Sequence, residues 1–367
     1  MSVDARALAA GVPRWELDWR RLGRRALLGA IVLLAATTLY RNALQGEAGW
    51  DFHGGIWQAA QDLLHGRSPY LTPDWRALLH ASNAFITPPP LAVLAIPLSV
   101  LPFVPATVLW NLLCLGALLA ALWIVDVRDW KLYLLAACSF PFVASVALGQ
   151  PDGLFALALA VAWRRRGSWV GALAAGALIA AKLLAWPLVL WLLVTRRLRS
   201  SLVAMATAAG LLLGSWALIG FQGLAEYPRL LSADARAFED QSHSVTAAAM
   251  RLGASARLGQ LVAVACAVAI ATLIVWVARG SDRGWFVAAI AVGLLVSPIL
   301  WTHYLLALLV ALAIARPRLD RAWLLTLAFW LSPAETSPGW QIWVVLIAAC
   351  ALAVVAARPT PAERPSR

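Results

Sequence analysis

Apolar runs divided by short, often arginine-bearing breaks fill this chain from residue 26 to residue 357, and that succession restricts the fold more than any motif does. The runs lie at roughly 26–40, 88–101, 105–125, 132–148, 153–163, 169–181, 184–194, 202–220, 258–278, 285–301, 303–315, 322–332 and 340–357. They do not alternate with the period of two that an outer-membrane barrel strand requires, so they read as helices. The chain is 62% apolar and 13% charged, against about 45–50% apolar in soluble domains. Its twenty tryptophans suit a protein with many membrane interfaces to anchor. The sequence therefore predicts an all-α, polytopic membrane protein.

The net charge of +12 does not point to nucleic acid, because the basic residues flank apolar runs in short clusters instead of covering one soluble face. Cys114, Cys138, Cys266 and Cys350 each sit inside an apolar run without metal-site spacing, which indicates helix packing and neither disulfides nor zinc. Residues 1–25 read as a cytoplasmic segment. Within it, Trp15, Trp19 and Leu22 stand at helical spacing beside arginines, as in a short helix lying on the membrane surface. The first apolar run is an uncleaved anchor, 26–357 the membrane domain, and the Pro-rich 358–367 a disordered cytoplasmic tail.

Charge decides the topology. If all thirteen runs crossed from a cytoplasmic N-terminus, the clusters Arg164, Arg165, Arg166 and Arg196, Arg197, Arg199 would both lie outside, against the positive-inside rule. If the proline-bounded run 88–101 dips in instead, about twelve spans remain, both termini are cytoplasmic, and most Lys and Arg face the cytoplasm. The five histidines then all lie outside. Several runs are shorter than the roughly 20 residues of a straight crossing, so broken or half-depth helices lining a cavity are expected.

The longest polar interval, residues 50–90 within the first outer loop 41–104, holds Asp51, His53, Asp62, His65, Asp74 and His80. Ile56, Ala60, Leu63 and Leu64 recur at helical spacing opposite Gln58, Gln61 and Asp62, which predicts an amphipathic helix on the outer interface, stopped at Gly66. Pro88, Pro89 and Pro90 force an extended approach to the dipping segment. Lys182 interrupts an otherwise apolar stretch, where a charge costs at least about 2.5–3.5 kcal/mol at mid-depth. Such a group is a functional candidate, with snorkelling to the interface as the plain alternative. Gln150 and Asp152 share a glycine-bounded turn and are suited to sugar hydroxyls or a divalent ion, or simply to capping the next helix. No dense carboxylate cluster favours a metal, and no cofactor is expected.

Asp51-Phe52, IWQAAQDLLHGRSPY, PPPLAVLAIPLSVLP, GQPDG at 149–153, Lys182 with Pro187, and SPILWTHY at 297–304 follow one another in an order that resembles glycosyltransferase family 87, once labelled DUF2029. These are the bacterial polyprenyl-phosphate-mannose-dependent mannosyltransferases of the GT-C fold. The resemblance covers roughly residues 25–330. Gly54, Gly55 and Ile56 stand where the family often has an aromatic residue, and Asp152 where it often has Asn.

The resemblance implies a plasma-membrane enzyme that moves a sugar, mannose above all, from a polyprenyl phosphate to a glycolipid or glycan hydroxyl at the extracytoplasmic face, with inversion. It implies that Asp51 is the general base and that His303 lies beside the reacting sugar. Such a transfer needs a base for the acceptor hydroxyl. It needs no protein acid, because a phosphate monoester with second pKa about 6 leaves readily. Lys182 is assigned to the donor phosphate, with Arg229 and Arg251 as further phosphate candidates. His53, Gln150, Asp152 and Tyr304 are assigned to sugar or acceptor. A transporter or lipid flippase is the main rival, since it too places polar residues in broken helices, but no inverted repeat is visible. A ligase using a lipid-diphosphate donor is a further rival.

Overall fold

The computed structural model describes residues 19–70, 74–80, 84–332 and 339–359, with backbone alone at 19–25, 75, 79 and 80. Among them every regular element is helical. Helix α1 (Trp19–Leu44) precedes a π-helical turn (Phe52–Trp57) that runs directly into α2 (Gln58–Leu64). Then come α3 (Trp75–His80), α4 (Pro89–Ser99), α5 (Phe103–Ile124), α6 (Trp130–Ala137), α7 (Phe140–Leu148), α8 (Asp152–Arg164) and α9 (Trp169–Ala181). They are followed by α10 (Pro187–Val194), α11 (Leu198–Ala217), α12 (Tyr227–Ala237), α13 (Val245–Arg251), α14 (Ala256–Val277) and α15 (Asp282–Val296). A 3-10 turn (Thr302–Leu305) opens α16 (Leu306–Ala315), and a long 3-10 helix (Arg321–Leu331) precedes α17 (Gln341–Ala357).

Among the described residues four helices are long and apolar enough to cross a membrane: Ala26–Leu44, Phe103–Ile124, Leu198–Ala217 and Ala256–Val277. The pair α6 and α7, bent by 51°, makes a fifth if it counts as one span. Length and composition therefore support four or five spans, where the charge pattern predicts about twelve. These long helices carry exposed apolar side chains such as Leu33, Val104, Leu202, Val268 and Trp276, a surface that suits lipid and not water. The interior is built from shorter pieces. Helices α15 and α16 bury most of their residues, and at 1.5 Å per residue neither reaches the roughly 30 Å of a hydrocarbon core.

Small residues let the pieces approach. A Cβ added at Gly153 would run into the Cys114 carbonyl of α5, one at Gly176 into the Ala204 carbonyl of α11, and one at Gly293 into the Leu184 carbonyl. Close backbone contact of this kind replaces the hydrophobic drive that is absent between helices in lipid. The α6–α7 bend has a local cause: Pro141 lacks the N–H that would continue the ladder, and Ser139 Oγ donates to the Ala136 carbonyl at 2.7 Å.

Two local expectations are revised. From Trp19 the chain is already helical and continues without interruption into the first apolar run, because Arg, Leu and Ala all favour helix. The remainder of the predicted surface helix, and most of the tail 358–367, lie outside the described residues. The amphipathic segment of the first loop does form and ends before Gly66, which has φ +66°. However, it is packed inside the protein: Ala59 and Leu63 meet Tyr227 and Leu230 of α12, while Phe52, Ile56 and Ala60 meet Trp110 and Cys114 of α5.

Candidate active site

The turn between α7 and α8 is the local structure that creates the site. Gly149 ends α7 with φ +76°, and a Cβ there would strike the Phe52 side chain, so the residue must be glycine for the turn to abut the start of the π-helical segment. Trp110 Nε1 donates to the Gly149 carbonyl at 2.8 Å, and the Gly49 N–H donates to the Ala147 carbonyl at 2.7 Å. Stacking of Phe52 on Trp110, with ring centroids 5.1 Å apart, fixes the same junction. It brings together two segments a hundred residues apart in the chain: Gln150 Nε2 donates to Asp51 Oδ2 at 2.6 Å.

Two residues on, Asp152 opens α8, where the helix dipole favours a carboxylate. Its Oδ2 accepts from Ser145 Oγ at 3.3 Å and lies 2.6 Å from His303 Nδ1. A carboxylate only accepts, so the pairing puts the imidazole proton on Nδ1 and leaves Nε2 as the ring's remaining polar atom. Lys182 Nζ approaches Asp152 Oδ1 at 3.4 Å. The Lys182 ammonium also stands over the Tyr304 ring, 3.3 Å from its centroid, and 5.2 Å from that of Phe155, where cation–π attraction holds it in a poorly hydrated place. The side chains of Asp152 and His303 are 5% and 2% exposed, that of Lys182 11%.

Lys182 is here because the helix breaks. The chain leaves α9 at Lys182 with φ −146° and ψ 99°, makes one 3-10 turn over Leu183–Ala185, and restarts at Pro187. The Asp51 charge acts on Lys182 and on Tyr304, so Asp51, Gln150, Asp152, Lys182, His303 and Tyr304 form one constellation drawn from four separate stretches of chain. From it a partly open apolar cavity runs along the face of α8 that carries Asp152, Phe155 and Leu159, with Leu188, Ile290 and Leu306 among its walls.

Other candidates stay apart. His53 is exposed, and its ring packs on Phe103 at 4.1 Å and Trp57 at 5.7 Å. Arg229 is exposed on α12. Arg251 donates to the Asp240 carbonyl and lies beside His243. Among the described residues no group of three or more His, Cys, Asp or Glu side chains is arranged to hold a metal ion.

Two further groups escaped sequence reasoning. Asp234 on α12 is 4% exposed, and burial together with the charge of Asp51 pushes its pKa up to about 7. The spacing Tyr227, Leu230, Asp234 was the available signal, since it puts a carboxylate on the buried stripe of an amphipathic helix. The second group is Ser242-His243-Ser244, buried throughout. Ser242 Oγ accepts from the Leu300 N–H, the His243 N–H donates to the Leu300 carbonyl, and Ser244 Oγ donates to the Pro298 carbonyl. This segment clamps the turn that delivers His303.

With that geometry in place, comparison with known proteins identifies the class. The family model of glycosyltransferase family 87 matches residues 85–298, more than half of the chain, and the protein belongs to that family. It is a membrane glycosyltransferase, with a sugar donor and a sugar acceptor as substrates. No curated protein and no solved structure matches it significantly.

Proposed function

We propose that the protein transfers a hexose, mannose by its family resemblance, from a polyprenyl phosphate to a hydroxyl of a glycolipid or glycan. The reaction takes place at the extracytoplasmic face of a bacterial plasma membrane, in a GT-C-type fold of about twelve spans with both termini cytoplasmic. The observation that carries this reading is the meeting of a carboxylate, an ammonium and an imidazole beside an apolar cavity. That pairing suits a substrate with a charged head and a hydrocarbon tail.

The chemistry is a single displacement. Asp51, oriented by Gln150, takes the proton of the acceptor hydroxyl as its oxygen attacks the anomeric carbon, and the bond from that carbon to the phosphate oxygen breaks on the opposite face, inverting the centre. Negative charge gathers on the departing phosphate, where Lys182 is placed to oppose it. Asp152 is a positioning residue, because its carboxylate already serves Lys182, His303 and Ser145. His303 and Tyr304 then border the sugar.

The test is purified protein in nanodiscs with radiolabelled polyprenyl-phosphate-mannose and a panel of glycolipid acceptors. Labelled acceptor is the expected product. Movement of the intact lipid across liposomes without sugar transfer would replace this reading with a flippase, and transfer only from a lipid diphosphate would replace the donor.

A further inference from the structure

Resting on the transfer reaction above, we propose that Asp234 is a second catalytic carboxyl, acting in its acid form beside Asp51, and that its O–H donates a hydrogen bond to a substrate hydroxyl at the site of transfer.

Tyr227 and Leu230 turn the buried face of α12 into the core that also holds Ala59 and Leu63 of α2, and Asp234 continues that stripe one turn further on. It is therefore delivered to the interior by the packing of its own helix. An isolated ionised carboxylate is costly to bury unless cations or donors compensate it. Asp234 has neither: among the described residues no hydrogen bond or ion pair reaches it, whereas Asp51 receives the Gln150 amide and Asp152 receives Lys182, His303 and Ser145.

Charged and titratable groups face it from several elements. Asp51 faces it from the start of the π-helical segment, Tyr304 from the turn before α16, and Tyr227 from its own helix. Arg229 and Arg236 on α12 are exposed, as is Arg76 on α3, the helix that packs against α12. The side chain of His80 on α3 lies outside the described residues. Two carboxylates close together cannot both ionise cheaply, and the one with an amide donor and an ammonium acting on it keeps the charge. That leaves Asp234 as the acid, with burial and the Asp51 charge raising its pKa to about 7.

A neutral carboxyl contributes something Asp51 cannot, namely a donor. Hydroxyl groups of a sugar supply acceptors for it, and the proton is shared and not consumed, so the displacement stays balanced with Asp51 taking the acceptor proton. Ionisation of Asp234 removes the donor and adds negative charge where the phosphate must leave.

The experiment compares wild type with Asp234→Asn and Asp234→Ala in nanodiscs by two readouts. Infrared difference titration should show the carbonyl stretch of a protonated carboxylic acid at pH 6, lost as pH rises past about 7 and absent from Asp234→Asn. In transfer assays Asp234→Asn, which keeps a donor and the shape, should stay within about tenfold of wild type at pH 6.5 and lose the alkaline fall in rate that wild type shows. Asp234→Ala should be slower than Asp234→Asn at every pH. A carboxylic-acid band that persists in Asp234→Asn, or an Asp234→Asn pH profile that superimposes on wild type, overturns the proposal. The infrared band together with absence of sugar transfer from any donor supports the buried acid but sinks the transferase reading, so the two failures are distinguishable.

Discussion

Helix α8 runs for 13 residues, about 20 Å at 1.5 Å per residue, between two charged clusters that treat their carboxylates differently. Beyond its C-terminal end, Asp282 receives Arg197 through both nitrogens at 2.8 Å, Arg166 Nε at 2.6 Å and Trp191 Nε1 at 2.8 Å. Three side chains from separate segments thus saturate one carboxylate, a closed lock that ties the loop after α8 and helices α10 and α15 together. At the other end, Asp152 is equally saturated. It is surrounded, though, by groups that are not: an ammonium held loosely at 3.4 Å beside an apolar cavity, an imidazole with one nitrogen left over, and Asp234 without a donor among the described residues. A charge cluster that has used its hydrogen-bonding capacity on itself is structural, whereas one that retains capacity beside a cavity is equipped to bind.

The comparison is broken most severely by Asp51→Asn. Removing a general base should lower kcat by about 10²–10⁴-fold, while thermal unfolding in detergent stays where it is in wild type. Asp282→Asn should do the reverse. It should cost roughly 2–4 kcal/mol of stability, below the full penalty for breaking a buried pair because the side chain is partly exposed, and the protein that remains folded should keep its substrate KM values. If Asp282→Asn behaved like Asp51→Asn, the division into lock and site would be wrong.

A more graded effect is expected from Lys182→Ala, which should raise the KM for the lipid donor more than the KM for the acceptor. Titration gives a subtler contrast. His243, whose pKa is lowered to about 4 by burial and by Arg251, stays neutral in the fold, so its unfolded form takes up a proton first as pH falls. Its contribution to stability is held above pH 6.5 and lost as pH drops toward 4. Asp234 has the opposite sign, because its raised pKa makes its burial least costly below about pH 4 and most costly above about 7. The two offset each other in wild type. Melting curves between pH 4.5 and 8 should therefore tilt in opposite directions in His243→Gln and Asp234→Asn. Arg229→Ala should change transfer by less than about twofold, since an exposed surface charge contributes little.

Much of the site was legible before any coordinates, and the reason is local chemistry. Gly149 and Gly153 bracket a turn, Pro187 opens a new helix just after the break at Lys182, and Pro298 lies in the irregular stretch that leads to His303; each is a backbone instruction that a short window reveals. The apolar run 169–181 became α9 with the same limits. What the sequence hid was tertiary. Asp234 stands out only once α12 is known to bury one face in the cluster that it shares with α2. Arg229 and Arg251 looked like phosphate ligands because basic residues in an outer loop have no marker for direction, and the fold turns them elsewhere. Length and composition alone recover only four or five of the expected spans, because an apolar run of 11 to 15 residues reads the same whether it crosses the membrane, goes halfway or fills the core.

The most direct measurement of the central claim, that Asp51 and Lys182 serve one substrate in one site, is single-turnover sugar transfer by Asp51→Asn loaded with polyprenyl-phosphate-mannose to the same occupancy as wild type. The account predicts normal donor occupancy with transfer slowed by about 10²-fold or more. Transfer at the wild-type rate from that loaded protein would contradict it.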